Sequence, residues 1–174
     1  MAKNTKASTF APAGYEVKTG ASDFFKPKAG ANKFRILTDS VVVLEGWKDN
    51  KPFRRDLELG IKDHEVDEDE KSGKPKINEI MAFYIYSYDE DKIMIASFSQ
   101  ATIKKEILAL ANDEEWGHPS GYDITIKKTG DGFQSRYTVT PSPKKALAKT
   151  VQAVVDEAEA SFDLDKALTI ERDF

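Results

Sequence analysis

The chain contains no cysteine, which excludes disulfides, thiolate metal sites and thiol nucleophiles. Histidine is scarce. His64 lies in a charged run and His118 stands beside Pro119, so neither has a partner at metal-binding spacing. There is no Gly-rich phosphate loop closing on Lys-Ser/Thr, no G-x-S-x-G and no G-x-G-x-x-G. No apolar run approaches the roughly 20 residues that cross a bilayer. The opening "MAKNTKASTFAPAG" lacks the apolar core of a signal peptide, so a cytoplasmic location is expected. These gaps remove the common hydrolytic, redox and nucleotide-dependent templates. The expectation is a protein without catalysis, cofactor or metal.

What is present is ordinary in amount and uneven in placement. The 174 residues are 40% hydrophobic and 32% charged, with a net charge of −4. That is enough chain for one domain with a real core plus extensions. Residues 1–33 carry 6 lysines against Glu16 and Asp23, and residues 151–174 carry 7 acids against 2 bases. A near-neutral body thus sits between a basic head and an acidic tail.

Strand signals dominate the body. The β-branched stretch 32–47 and the stretch 51–61 read as the first two strands. The charged segment 62–76 reads as a solvated loop without apolar anchors. Its acids do not fit a calcium loop, because Ser72 stands where the sixth-position glycine is needed. Residues 80–88 and 92–98 form a hairpin, and 99–113 an amphipathic helix with Ile103, Ile107 and Leu110 inward and Leu108 at its edge. Residues 122–139 form a second hairpin, in which Phe133, Tyr137 and Val139 alternate back after a Gly-Asp-Gly turn. Leu147, Val151, Val154, Val155 and Ala158 mark a final amphipathic helix.

This order predicts a mainly β fold: an OB-type antiparallel barrel with a helix between the third and fourth strands, and a C-terminal helix followed by an acidic tail. A generic α+β sheet with a covering helix also fits. The expected division is a flexible basic arm at 1–31, the barrel at 32–143, the helix at 144–160 and the tail at 161–174.

The chemistry lies in aromatic and basic side chains that share strand faces. Tyr84, Tyr86 and Tyr88 alternate on the parity opposite Met81, Phe83 and Ile85. Lys33 and Arg35 have the parity opposite Phe34 and Ile36, Arg54 and Arg55 follow Phe53, and Lys127, Lys128 and Arg136 punctuate the solvent parity of the last hairpin. Unstacked nucleic acid needs this mixture, since its phosphates take cations and its bases take flat π-faces. No basic helix suited to a duplex groove is evident. Tyrosine is also a normal strand residue that can pack under a helix. Three at alternate positions between basic strands favour a binding face. Trp47, after Gly46, suits either a base or the end of the barrel. Trp116 suits a buttress at the entry to the last hairpin.

Four stretches carry a resemblance: "NKFRIL", "GWKDNKPFRR", "YDEDKIMIASFSQATIKKEI" and "WGHPSGYDITIKKTGDGFQSRYTVTPSP". Together they resemble phage-encoded single-stranded DNA-binding proteins with an OB-fold, over about residues 32–143. Several members of that group carry a cysteine-based zinc site, which this chain lacks. The resemblance implies a coat for single strands in replication and recombination. It implies DNA contacts at Lys33, Arg35, Trp47, Arg54, Arg55, Tyr84, Tyr86, Tyr88 and Arg136, to which the strand parity adds Lys127. It also implies replication or recombination partners held by the tail through Asp163, Asp165, Glu171, Asp173 and Phe174. An electrostatic visit of that tail to the empty DNA site is a further expectation. The competing readings are a protein-interaction module and, last, a nuclease using the acids 67–70.

Overall fold

Residues 80–87 are buried without a break, so this strand has an apolar partner on each face. The computed structural model describes residues 23–172. Its elements are β1 (Phe24–Phe25), β2 (Gly30–Ile36), β3 (Val41–Lys48), β4 (Lys51–Arg55), β5 (Ile77–Ser87), β6 (Lys92–Phe98), α1 (Ala101–Asn112), β7 (Asp123–Thr129), β8 (Arg136–Pro141), α2 (Lys149–Ala158), α3 (Leu164–Ala167) and β9 (Ile170–Glu171). The fold is mainly β.

β5 is the spine. On one side it pairs antiparallel with β6, from Met81 opposite Phe98 to Ser87 opposite Lys92. On the other side it takes β3 along its first half and β2 along its second. β2 and β3 are therefore one long strand with a bulge. Ile36 faces Ile85 and Val41 faces Ala82, so residues 37–40 oppose only 83 and 84. The Leu37 N–H donates to the Tyr84 carbonyl at 2.9 Å, and the Tyr84 N–H donates to Thr38 Oγ1 at 3.2 Å.

β7 pairs with β2, and β8 with β7. The main strands thus run β8-β7-β2/β3-β5-β6, with α1 between the third and fourth in chain order. The second strand of this series is β5. The stretch read as a second strand is regular only over 51–55 and lies between β3 and the short parallel strand β9. Among the described residues no ladder joins β8 to β6, so the sheet is open there.

Phe34, Phe83, Phe98, Ile85, Ile103 and Ile124 are among the residues of the main core, into which α1 drops Ile103 and Ile107. Trp116 buttresses the last hairpin as expected, edge-on to Tyr122 at 5.2 Å. α2 buries Val155 and leaves Val154 45% exposed, a narrower apolar face than the spacing suggested.

Three segment assignments change. The arm read as flexible to residue 31 is part of the sheet from Phe24. β1 pairs with β6, Phe25 enters the core, and β2 begins at Gly30. Residues 1–22 lie outside the described residues. The loop 62–76 does have an apolar anchor, because Val66 is buried against Gly46. A Cβ at position 46 would come within 2.8 Å of Val66 and 2.7 Å of Phe53. The tail is also folded: Leu168 is 1% exposed, and β9 pairs with β4.

Candidate nucleic-acid interface

Cross-strand register decides which side chains share the outer face of the sheet. Arg35 lies opposite both Tyr86 and Asp123, and Lys33 lies opposite Thr125. Lys127 lies opposite Thr138, and Thr129 opposite Arg136. The face they form has two halves.

The half over β5 and β6 is covered. Ala82, Tyr84 and Ile95 make a second core with Leu168, closed by Phe162, Leu164, Ala167 and Ile170. Phe162 stacks on Tyr84 with ring centroids 4.4 Å apart and planes 20° apart. The Asp163 N–H donates to the Tyr84 hydroxyl oxygen at 3.3 Å. Along the edge, Arg54 Nε donates to Glu45 at 2.9 Å and its Nη1 to the Leu168 carbonyl at 3.2 Å. Arg55 donates to both Glu65 oxygens and to Glu171, each at 2.9 Å, above the Phe53 ring. These partners push the Arg55 pKa further up, Glu65 foremost, and the Lys62 N–H and Arg55 hold the Glu65 carboxyl below its usual range.

The other half is open at its surface and organised beneath it. Asp123, 1% exposed, starts β7. Arg35 Nε and the Tyr88 hydroxyl both donate to its Oδ1 at 2.8 Å. Arg35 also donates to the carbonyls of Ser120 and Lys145. Asp123 Oδ2 has no hydrogen-bond partner, and the Lys33 and Lys145 ammonium groups stand 3.8 and 3.9 Å from it. Three cations around one buried carboxylate leave a positive excess, carried outward by the two lysines. Lys33 Nζ lies over the Tyr88 ring at 5.5 Å, and Tyr88 meets Tyr86 edge-on at 5.4 Å. The Tyr86 hydroxyl donates to Asp91. That bond, then burial, raises the Tyr86 pKa to about 12; burial, then the bond to Asp123, raises Tyr88 to about 12.

The expected DNA contacts therefore separate. Lys33, half-buried Tyr88, Lys127 and Arg136 present surface to solvent. Arg35 and Tyr84 do not, because they are 2% and 4% exposed. Arg35 is a fastener among three elements, and Tyr84 is a floor for the C-terminal segment. Tyr86, 3% exposed, supports Tyr88 from beneath. Arg54 and Arg55 are engaged by acids and by the C-terminal segment. Trp47 is half-buried, and its backbone bonds Lys76 and Asp67 where the loop 62–76 returns.

The acids of the expected partner tail also have internal work. Asp163 caps α3 by accepting the Lys166 N–H at 3.1 Å. Asp165 holds Arg172 by two bonds, which lowers its pKa, and Glu171 takes Arg55. Asp173 and Phe174 lie outside the described residues. The segment's resting place is the Tyr84 half of the face, held largely by apolar side chains rather than by charge.

Lys145 and Asp123 escaped sequence reasoning. Lys145 follows a proline stop with no periodic signal, and an aspartate inside a strand becomes informative only when the ladder sets it beside Arg35. His118 also has partners the sequence did not reveal: Nδ1 meets Ser120 Oγ at 2.8 Å and Nε2 meets Asp39 at 2.7 Å. The three residue types are those of a hydrolase triad, but the ring nitrogens are exchanged, with serine on Nδ1 and the acid on Nε2, and the Ser120 N–H also donates to Nδ1, so the imidazole caps a turn. Asp39 is 93% exposed on open surface. Among the described residues no three His, Asp or Glu side chains converge as a metal site. No described helix is long and apolar enough to cross a membrane.

Comparison with protein-family models, with curated proteins and with solved structures finds no match to this chain.

Proposed function

We propose that the protein binds single-stranded DNA without sequence preference and without catalysis. The observation that carries this reading is the Lys33–Tyr88 pair: an ammonium 5.5 Å over a half-buried ring, on a face that continues through Lys127 and Arg136. A cation beside a π-face answers both parts of an unstacked nucleotide. The Arg35–Asp123–Tyr88 bonds hold that ring in place, so little order is lost when a strand arrives. The resemblance of residues 32–143 to phage single-strand binders supports a role in phage replication and recombination, which would put the protein in the cytoplasm of an infected bacterium.

A second reading has its own observation. The outer face of β5 and β6 already holds a peptide, residues 162–170 of the same chain. A protein-interaction module would use that face for a partner's segment instead.

Labelled oligo-dT and a duplex of equal length, titrated at rising salt, distinguish the two. The strand-binding reading expects oligo-dT to bind more tightly than duplex, with log affinity falling linearly with log salt. Absence of oligo-dT binding at low salt rejects it and leaves the interaction module.

A further inference from the structure

Phe133, at the tip of the β7–β8 hairpin, has 95% of its surface open, the most of any large apolar side chain described. The sequence groups it with Tyr137 and Val139, which pack against the core. A tight turn at 132–134 throws it outward instead. The turn is built to one shape. Gly130 has φ +77°, and a Cβ there would lie 2.3 Å from the Gln134 carbonyl oxygen. Asp131 and Gly132 carbonyls accept the N–H groups of Gln134 and Ser135 at 3.0 and 3.2 Å.

One exposed apolar residue is ordinary by itself. This ring has charged company that points to a ligand class. Lys71, from the loop between β4 and β5, holds its Nζ 5.2 Å from the ring centroid. Arg136 follows the turn opposite Thr129, and Lys127 lies on the same outer face as Lys33. Asp131 is the one acid in the turn. In the Lys71 loop, between Glu68 and Glu70, Asp69 accepts the N–H groups of Ser72 and Lys71, and Ser72 foremost holds its pKa down.

We infer that Phe133 is a second stacking platform, taking a nucleobase of the same strand whose phosphates pass Arg136 and Lys127, with Lys71 displaced from the ring toward the sugar–phosphate. The inference rests on the single-strand-binding reading and extends its site. β7 separates the foot of this tip from Asp123, under Tyr88, by about 20 Å at ~3.3 Å per residue. That span fits within a site of roughly 4–16 nucleotides. A protein partner with an apolar pocket is the competing occupant.

The test uses the full chain with labelled oligo-dT of about 4 and about 16 nucleotides. Phe133→Ala should weaken the longer oligonucleotide by roughly 5- to 100-fold and leave the shorter one unchanged. Phe133→Trp should keep full affinity, with indole emission quenched on binding. Phe133→Leu should fail like alanine, because it is apolar without a π-face. Melting temperatures should stay level across the variants, since the ring touches no core. Equal affinity of Phe133→Ala and the intact chain at both lengths overturns the inference, as does full affinity in Phe133→Leu. If Tyr88→Ala loses affinity while Phe133→Ala does not, only this inference fails. If the intact chain does not bind at all, the parent reading fails with it.

Discussion

Phe162 lies flat on Tyr84, centroids 4.4 Å apart, and with Leu168 it closes the outer face of β5 and β6. The contact joins the C-terminal segment to the tyrosine row that strand parity alone presents as a binding face. Leu168 is 1% exposed, so Leu168→Ala should cost about 2–5 kcal/mol of stability, read by denaturant unfolding. A cost near zero would mean that the segment is not part of the folded body.

Truncation after Ala160 removes the cover from Tyr84 and the partners of Arg54 and Arg55 supplied by Leu168 and Glu171. Oligo-dT affinity should rise. Because the docking is mainly apolar, the rise should persist at high salt, unlike a purely electrostatic competition. Equal affinities at every salt concentration would exclude the covered half from the binding face.

The cations should fall into two classes. Lys33→Ala should lower the slope of log affinity against log salt by about 0.7, the value for one single-strand phosphate contact. Arg54→Ala and Arg55→Ala should leave the slope unchanged, since acids already occupy both guanidiniums. Arg35→Ala removes a partner from a buried pair and should cost about 3–5 kcal/mol in unfolding experiments. Ordinary stability with a reduced slope in Arg35→Ala would make Arg35 a strand contact after all.

Tyr86 and Tyr88 both titrate at about 12 in the folded protein, against an ordinary value of 10.0. Their protonated forms are thus favoured by folding. That stability is complete below about pH 10 and declines as pH rises toward 12. Phenolate absorbance should show late ionisation of these two rings. Asp91→Asn should bring the Tyr86 midpoint down, because its bond to Asp91 is the largest cause of the rise. An unshifted midpoint in Asp91→Asn would assign the effect to burial alone.

Much of the sheet was legible because strand parity is local. Met81, Phe83 and Ile85 are inward, the helix between the third and fourth main strands is present, and Trp116 buttresses Tyr122. The site was legible in kind and less so in detail. Lys33 and Arg35 have the same parity, yet one reaches solvent and the other is sealed. Only the ladder to Asp123, 88 residues away, decides that. Tyr84 reads as exposed until Phe162 is known to fold back over it. Val66 looked unanchored because its contact, Gly46, lies across the strand turn.

The most direct measurement is oligo-dT affinity of Tyr88→Ala and Tyr88→Phe beside the intact chain, with melts of all three. The phenylalanine variant keeps the π-face and loses only the bond to Asp123. The account predicts that Tyr88→Ala loses about 1–3 kcal/mol of binding and Tyr88→Phe retains most of it at comparable stability. Undiminished oligo-dT binding by folded Tyr88→Ala would contradict the claim that single strands stack on this face.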